Sequence, residues 1–295
     1  MRCRRLALYC RVYLRRLMCH LTILVCWGTV VAAAEVPVLR VMTYNVRYAS
    51  DQGPHRWQLR RPLAQRMLVE QNPDVIGMQE ALYRQVKDFN QDLSEHAWIG
   101  LGREGGSRSE FMAVFYRRAR LEPVAFDHYW LSDTPDVIGS ASWGHSNRRM
   151  VTWVRFFDRL SKQQFYFVNT HFDHEVRTAR EKSAQLVFER VSKWNQKVPV
   201  LLVGDFNAVA ERSQVYKTLV GSRRLLDTWV QAEERGPLYD TFHGYRGLSR
   251  SGRRIDWILS RGSVRVKSSK IITFQQQGQF PSDHFPVIAD VQMGP

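Results

Sequence analysis

The stretch VLLVGDFN, Val200–Asn207, decides the fold of this chain. Four apolar residues lead into Gly204, and a carboxylate and an amide follow at Asp205 and Asn207. A continuous apolar run of this kind predicts a strand that is buried on both faces. Because Gly204 permits a tight turn, we expect Asp205 and Asn207 to emerge together at the end of that strand. Such positions are typical of active sites in layered α/β enzymes, although Asp and Asn are also ordinary turn residues.

The first 34 residues differ in composition from the rest of the chain. Six arginines and no acidic residue accompany an apolar core at Leu21–Val31, and three alanines end at Ala34. This pattern predicts a secretory signal peptide cleaved near Ala34, which would make the mature protein secreted or periplasmic. The apolar core is shorter than the roughly 20 residues of a transmembrane helix. An uncleaved anchor is nevertheless an alternative, as is a translation start at Met18.

Removal of the leader would change both the cysteine content and the charge. All four cysteines lie within the leader, so residues 35–295 contain none, which excludes Cys-ligated metals and cysteine nucleophiles there. The formal net charge falls from +15 to +9 without the six leader arginines. This excess favours anionic partners such as nucleic acid, phospholipid head groups or other phosphate esters. No linker or internal repeat interrupts residues 35–295, so we expect a single domain.

Apolar runs and helical periodicity are interleaved along this predicted domain. Strands are predicted at Val38–Val46, Asp74–Glu80, Glu110–Tyr116 and Gln164–Thr170, and the longest helix at Val176–Trp194. Several strand pairs are joined too closely for a crossover helix, so their sheets must include antiparallel neighbours. The pattern predicts an α/β (α+β) fold in which two mixed β-sheets pack face to face, with helices on both outer faces.

Most of the predicted strands end on a polar residue. These residues are Asn45, Glu80, His171, Asp205, Asn207 and, after a loop, Asp283 and His284. A hard cation such as Mg²⁺ prefers carboxylate and carbonyl oxygens, so Glu80 and Asp283 are the natural ligands. A histidine that a carboxylate orients can act as general acid or base, or bind phosphate. Each residue alone also fits a cap, a turn or a strand end, so the prediction depends on the whole set.

Seven short blocks occur in an order that resembles the endonuclease/exonuclease/phosphatase superfamily. They are TYNVR, GMQE, EFMAVFYRR, NTHFDH, GDFN, RRIDWIL and SDHFP, and they span about Val38–Val291. The resemblance implies a four-layer α/β sandwich that hydrolyses phosphate esters with a divalent metal, Mg²⁺ or Mn²⁺. With the predicted leader, it points to a secreted bacterial branch of the superfamily.

The resemblance also implies a role for each matching residue. Glu80 would be the principal metal ligand, with Asn45 and Asp283 near it. Asp205 and Asn207 would orient the nucleophilic water and the scissile phosphate.

Two histidines complete the implied site. Asp256 would orient the acid–base residue His284, and Glu110 would pair with His171, the second catalytic histidine. Both histidines would be cationic and would stabilise the charge that develops on the phosphate. Arg149 would contact the substrate phosphate together with His171 and Asn207. Additional candidates in the matching region are Asp173, His174 and His243.

Three functions remain open. The leading prediction is a nuclease-like phosphodiesterase, because the positive charge and the arginine-rich stretches favour a polyanion such as nucleic acid. The alternative is a phosphatase or a phospholipase C-like (sphingomyelinase-like) enzyme acting on sugar, inositol or lipid phosphates. An inactive relative that only binds is disfavoured, because none of the implied residues is missing. We expect a monomer that meets a membrane only through a lipid substrate or an uncleaved leader.

Overall fold

Strands and helices are interleaved in the part of the chain that the structure describes. This computed structural model describes residues 36–221 and 225–294, so the predicted leader at residues 1–34 lies outside it. The strands are β1 (Val38–Asn45), β2 (Val75–Leu82), β3 (His96–Ile99), β4 (Glu110–Arg117), β5 (Leu121–Trp130), β6 (Met150–Asp158), β7 (Gln163–His171), β8 (Val200–Asp205), β9 (Leu226–Asp227), β10 (Glu234–Arg235), β11 (Asp256–Arg261), β12 (Val264–Ile271) and β13 (Val287–Met293). The helices are α1 (Trp57–Gln71), α2 (Tyr83–Asp92), α3 (Arg177–Lys193), α4 (Gln214–Val220) and α5 (Thr228–Gln231). Among these described helices, none is both long and apolar enough to cross a membrane.

The strands form two sheets, and each sheet contains both parallel and antiparallel pairs. One sheet has the order β10-β12-β13-β1-β2-β4-β3, and the other has the order β5-β6-β7-β8-β11-β9. Strands β1 and β2 run parallel, as do β7 and β8. Their other neighbours, β13, β4, β6 and β11, run antiparallel to them. The predicted pair of mixed sheets in an α/β (α+β) fold is therefore confirmed.

The two sheets pack face to face, and helices cover their outer faces. Leu39 and Val41 of β1 lie in one buried cluster with Phe165 and Leu201 of the other sheet. Tyr44 of β1 faces the opposite way, into a cluster with α1 and α2, because side chains alternate along a strand. On the far side of the molecule, α3 and α4 share a cluster with β7 and β8. The layers therefore follow the order helix, sheet, sheet, helix.

The directions of the strands bring eight strand ends to one edge of the sandwich. Strands β1, β2, β7 and β8 end there, and their antiparallel partners β13, β4, β6 and β11 begin there. A side-chain hydrogen bond of 3.0 Å between Asn45 of β1 and Asp205 of β8 joins the two sheets at this edge. Residues that are distant in sequence are therefore assembled at one place.

The strand predicted from VLLVGDFN is present as β8, and all six of its residues are buried. The turn predicted at Gly204 is wrong, because the strand continues through Asp205 and the left-handed residue is Asn207 (φ 47°). Gly204 is needed for a different reason: a Cβ there would lie 2.2 Å from the carbonyl oxygen of Thr170. The close approach of β7 and β8 places His171 directly opposite Asp205.

Candidate active site

A cavity of about 420 Å³ opens at the edge where the strand ends of both sheets meet. Nine of the residues singled out from the sequence line it: Glu80, Glu110, Arg149, His171, His174, Asp205, Asn207, Asp283 and His284. Asn45 and Asp256 lie behind its wall and hydrogen-bond to the lining residues. His243 instead lines a neighbouring cavity. The sequence thus identified most of a single concave site.

Two carboxylates converge on the side-chain amide of Asn45. Its Nδ2 donates to Glu80 Oε1 at 2.9 Å and to Asp205 Oδ2 at 3.0 Å, while its Oδ1 accepts from the backbone of Arg47. The oxygen expected to face a metal is therefore turned toward the backbone. A β-bulge aims Glu80 at this point, since the residue has φ 65° and the register of β2 shifts between Met78 and Ala81. Left-handed backbone at a non-glycine residue costs about 1–3 kcal/mol and is concentrated at functional sites.

Asp256 and His284 form a buried pair on the other side of Asp205. His284 Nδ1 lies 3.0 Å from Asp256 Oδ2, and its Nε2 points toward Asp205 Oδ2 at 3.8 Å. Burial alone would lower the pKa of His284, but the Asp256 and Asp205 carboxylates outweigh it and raise the pKa to about 10. The ring is therefore protonated at neutral pH, and its Nε2–H faces the cavity.

His171 has a different environment, in which Arg103 separates it from Glu110. Arg103 Nη2 lies 2.8 Å from His171 Nδ1, and its Nη1 lies 2.5 Å from Glu110 Oε2. The direct pairing expected between Glu110 and His171 is therefore wrong, because a guanidinium occupies the space between them. Burial, followed by repulsion from Arg149 and Arg103, holds the pKa of His171 well below its ordinary value.

The expectation of two cationic histidines is consequently wrong for His171, which is neutral. A guanidinium can only donate, so His171 Nδ1 must accept and the ring keeps its proton on Nε2. That nitrogen faces Asp205 Oδ2 at 3.4 Å, and Asn207 Nδ2 donates to the carbonyl of Phe172 at 3.1 Å. Asn207 is fixed in turn, since its backbone N–H donates to Asp205 Oδ1 at 2.9 Å.

Three arginines add positive charge to the same cavity. Arg47 Nη1 lies 2.5 Å from Asp283 Oδ2, so this expected metal ligand is already paired with a cation. Arg149 is 3 % exposed and lies between Asp173 at 3.5 Å and His174 Nδ1 at 2.9 Å. Burial and repulsion from the third arginine, Arg103, lower the pKa of Arg149 to about 10, so it stays charged. A group with several negative oxygens fits such a cavity.

Asp173 and His243 have roles outside the cavity wall. Asp173 Oδ1 accepts from the backbone N–H groups of Glu175 and Val176, which fixes the chain just before α3. His243 is buried, and its ring stacks on Phe285 with centroids 4.0 Å apart. The structure therefore places both candidates beside the site rather than in it.

The sequence and the fold match a known protein family. Residues 42–284 match the profile of the Endonuclease/Exonuclease/phosphatase family, which is most of the chain. The chain belongs to this family. Its members hydrolyse phosphate esters, so membership assigns the chain to the phosphoester hydrolases.

Three relatives match more than half of this chain, and two of them are solved structures. An endonuclease/exonuclease/phosphatase family protein from Bacteroides thetaiotaomicron is 32% identical with a TM-score of 0.84, and the match covers 88% of this chain and 99% of that one. The mannosyl-6-phosphatase Bt3783 from the same species is also 32% identical, with a TM-score of 0.80 and coverage of 86% and 99%. The uncharacterized protein L388 of Acanthamoeba polyphaga mimivirus is 29% identical over 179 residues, which are 58% of this chain and 66% of that protein.

The donor atoms of the site suit the divalent cation that this family generally uses. Glu80, His171 and Asp205 each present one ligand atom within 4.8 Å of the others, as do Asp205, Asp256 and His284. The Nε2 atoms of both His171 and His284 carry a proton and cannot ligate a metal, so the Glu80 and Asp205 carboxylates that line the cavity are the natural ligands. The convergence of two carboxylates on one amide also provides the negative charge that a hard cation requires.

The sequence did not identify several residues that line the cavity of this family member. They are Arg47, Tyr48, Arg103, Asn147, Phe242 and Ile255. Arg47 is the last residue of the matching block TYNVR, so the sequence did contain a signal that could have identified it. Arg103 lies in the glycine-rich loop between β3 and β4, where the sequence contains nothing that marks it as a contact of His171.

Proposed function

We propose that this chain is a divalent-metal-dependent hydrolase of phosphate esters that uses Mg²⁺ or Mn²⁺. The observation that carries the proposal is the arrangement of charge in one cavity. The Glu80 and Asp205 carboxylates converge on Asn45 there, and they face cationic His284 and three guanidinium groups. A phosphoryl group with its metal ion needs anionic and cationic partners of this kind side by side.

The Glu80 and Asp205 carboxylates would hold the metal, and Asn45 would keep both of them in place. When bound, a divalent cation supplies Lewis-acid polarisation of a phosphoryl oxygen and neutralises developing charge. Asp283 takes no part in this set, because Arg47 occupies its Oδ2 at 2.5 Å. The pair instead contributes the Arg47 guanidinium to the cavity.

The remaining residues serve the displacement at phosphorus. A water oxygen forms a bond to phosphorus as the bond to the leaving oxygen breaks, and Asp205 accepts the proton that the water loses. His284 donates its Nε2 proton to the leaving oxygen, and Asp256 keeps the ring in the orientation this requires. Asn207 and Arg149 stabilise the phosphoryl oxygens, which carry more charge in the transition state, and Arg103 orients His171. No covalent intermediate is needed.

A phosphomonoester is the substrate that the cavity favours. Its terminal phosphate carries up to two negative charges, and the cavity collects four cationic groups, from Arg47, Arg103, Arg149 and His284. The similarity to a protein described as a mannosyl-6-phosphatase supports a phosphorylated sugar. This candidate corresponds to the alternative drawn from the sequence rather than to its leading prediction.

A nuclease-like phosphodiesterase is the second candidate. The charge of +9 on residues 35–295 favours it, because phosphate-rich chains bind to basic surfaces. Arginines also border the cavity on the side of α3 and α4, where Arg177, Arg180 and Arg212 lie in a groove that shares Asn207 with it. A chain of phosphates could extend along this groove.

A hydrolysis panel tests the proposal. Purified protein with Mg²⁺ or Mn²⁺ would be offered mannose 6-phosphate, a phosphodiester, plasmid DNA, RNA and sphingomyelin. Glu80→Gln, which keeps the shape of the side chain but removes its charge, is the blank. We expect release of inorganic phosphate from the sugar ester and none from the blank. Nicked DNA or shortened RNA with an intact sugar ester would establish the second candidate instead, and no hydrolysis of any ester would refute the proposal.

We also propose that residues 35–295 are an exported monomeric domain, released by cleavage near Ala34. The basic leader, its apolar core and its three alanines support export. The expected result is a mature N-terminus at Glu35 in protein recovered from the medium or periplasm, with the mass of a monomer. An intact leader in the membrane fraction would show that it is an anchor.

A further inference from the structure

A second cavity of about 370 Å³ lies next to the proposed active site. Phe242 and Ile255 line both cavities, so they form a shared wall between them. The second cavity is formed largely by the segment 240–255, which connects the region after β10 to β11. A substrate held in the first cavity can therefore extend past Phe242 into the second.

The segment 240–255 is a defined structure rather than an open loop. The Asp240 carboxylate accepts from Ser251 Oγ at 2.7 and 2.8 Å and from the backbone N–H of Arg253 at 2.9 Å. Thr241 Oγ1 accepts from the N–H groups of Ile255 and Asp256 at 2.9 and 3.1 Å. These bonds close the segment on itself and join it to the residue that orients His284.

The same segment is bonded to the chain around His284. The backbone N–H groups of His243 and Gly244 donate to the carbonyl of Asp283 at 2.9 and 3.1 Å, and Phe285 N–H donates to Thr241 at 2.7 Å. The ring of Phe242 lies 4.9 Å from the ring of His284, yet the residue is 43% exposed. An aromatic surface is therefore presented to solvent beside the ring of His284.

Two exposed arginines on this segment point to an anionic ligand. Arg246 and Arg253 line the second cavity, and neither makes an ion pair among the described residues. Nearby arginines differ, since Arg254 is buried against Asp227 at 2.8 Å and Arg250 lies over the ring of Tyr239. The cavity thus combines the exposed apolar surface of Phe242 with two guanidinium groups outside any described ion pair, and the Asp240 carboxylate that also lines it is bonded to Ser251 and to the backbone of Arg253.

We propose that the second cavity binds the leaving group of the substrate, and that this leaving group contains a ring with a second anionic substituent. The inference depends on the proposed hydrolysis, and the geometry that carries it is the wall of Phe242 and Ile255 that the second cavity shares with the active-site cavity. The ring would stack on Phe242, and the second phosphate or carboxylate would contact Arg246 and Arg253. A sugar bisphosphate and a nucleotide chain share this chemistry.

Kinetics with matched substrates test this assignment. Arg246→Ala with Arg253→Ala removes the cations, and Phe242→Ala removes the stacking surface. Arg118→Ala is the control, since this exposed arginine follows β4 at the opposite end of the sandwich. The substrates are mannose 6-phosphate, mannose 1,6-bisphosphate, a dinucleotide with a terminal phosphate, and methyl phosphate as an ester without a ring.

The double variant should lose about tenfold in kcat/KM, through KM, on the bisphosphate or on the dinucleotide. Its activity on mannose 6-phosphate and methyl phosphate should change less than about twofold. Phe242→Ala should raise KM for the ring substrates by a larger factor than for methyl phosphate. The doubly anionic compound that shows the larger loss in kcat/KM indicates whether the leaving group is a sugar phosphate or part of a nucleotide chain. Equal losses on all esters, or no loss on either doubly anionic compound, would overturn the inference.

Binding measurements separate this inference from the proposed hydrolysis. In Glu80→Gln, calorimetric titration should show that mannose 1,6-bisphosphate or the dinucleotide binds about tenfold more tightly than mannose 6-phosphate. Adding the two arginine substitutions should remove this preference. A protein that hydrolyses no ester but retains the preference would refute only the hydrolysis. The absence of any preference would refute the leaving-group site even in an active enzyme.

Discussion

Arg103 determines how His171 can act. The guanidinium donates to Nδ1 at 2.8 Å, so the proton of the neutral ring resides on Nε2, which faces Asp205 and the cavity. Glu110 anchors the same guanidinium at 2.5 Å from the other side. His171 is therefore a neutral hydrogen-bond donor at Nε2, and its orientation depends on an arginine.

Replacing Arg103 should consequently impair turnover without removing a group that reacts. We expect Arg103→Met to lower kcat by about 10²-fold, the size of effect seen when an oriented catalytic group is released. The ¹⁵N signals of the His171 ring should also change, because Nδ1 is no longer forced to accept. Arg148→Met, an exposed arginine paired with Glu104 at 3.3 Å, is the control. Unchanged turnover and unchanged ring signals would show that Arg103 has no such role.

Replacing His284, the proposed acid, or Asp205, the proposed base, should reduce turnover more than replacing Arg103. His284→Ala removes the proton donor and Asp205→Asn removes the acceptor, so each should reduce kcat by about 10³-fold or more. Both side chains are almost completely buried, so circular dichroism and thermal unfolding must show that the variants fold. A folded variant that loses only a few-fold would contradict these assignments.

The difference between the residues predicted from sequence and those missed has a physical reason. Asp205 and His171 follow apolar runs, so the pattern locates both of them at strand ends. Arg103 acquires its role from a contact with a residue 68 positions away. Arginine is common on surfaces, and its partners depend on how loops fold over the sheets. Local pattern therefore identifies the carboxylates and histidines but not the guanidiniums that set their protonation.

At the scale of a strand pair, Gly204 links packing to chemistry. Its lack of a side chain lets β8 approach Thr170 of β7, where a Cβ would lie 2.2 Å from a backbone oxygen. Gly204→Ala should therefore destabilise the protein by about 1–3 kcal/mol, as overpacking of a core does. It should also lower activity, because Asp205 is the next residue.

Urea unfolding measures this effect. Gly236→Ala is a suitable control, since the nearest atom to its Cβ would be Cγ of the flexible Lys270 side chain at 3.2 Å, and the nearest backbone atom would lie at 3.5 Å, an ordinary contact distance. The control should change the free energy of unfolding by less than about 0.5 kcal/mol. If the two variants have the same free energy of unfolding, a Cβ at position 204 does not clash with β7, and the argument is contradicted.

At the end of the sandwich opposite the active site, an ion pair between Arg120 and Asp158 joins the β4–β5 connection to the start of the β6–β7 connection. Asp158 ends β6 and is fully buried, and its two oxygens accept from Arg120 at 3.0 and 2.9 Å. Burial raises the pKa of Asp158, but the bonds from Arg120 and Leu160 outweigh it, so the net pKa is lowered. The unfolded chain then binds a proton more readily than the folded one. The stability from this carboxylate is present above the unfolded pKa of about 3.9 and is lost as pH falls through the folded value.

Asp158→Asn should remove this pH-dependent contribution. We expect a loss of about 1–3 kcal/mol at pH 7, where Arg120 keeps only Asp74, at 2.8 Å, as its carboxylate partner. The difference between variant and wild type should shrink below pH 4. Chemical unfolding at several pH values measures both effects, and Asp127→Asn, an exposed carboxylate on β5, is the control. A difference that stays constant from pH 7 to pH 3 would contradict the argument.

At the scale of the molecule, the class of fold follows from pattern but the sheet order does not. Apolar runs and short connections predict two mixed sheets with helices outside, and this is what forms. The central strand β1, however, pairs with β13 at the other end of the chain, with Val38 opposite Gln292. Periodicity describes which face of a strand is buried and contains no information about such a distant partner. The shared edge that creates the site therefore required the structure.

Because the proposed metal site draws residues from both sheets, metal binding should stabilise the whole molecule. Glu80 and its partner Asn45 come from one sheet, and Asp205 comes from the other. The raised pKa of Asp205, caused by burial and then by Asp256, shows that its charge is costly without a cation. A ligand at about 100 times its Kd adds about 2.7 kcal/mol to the free energy of unfolding.

The expected result is a rise in Tm of about 5–10 °C with excess Mg²⁺ or Mn²⁺ in wild type. The rise should disappear in Glu80→Gln, which lacks a charged ligand, and persist in Asp283→Asn, because Asp283 is paired with Arg47 rather than placed at the metal. Differential scanning calorimetry with and without chelator measures both. A shift that survives in Glu80→Gln but is lost in Asp283→Asn would place the metal on the Asp283 side and reverse the assignment of ligands.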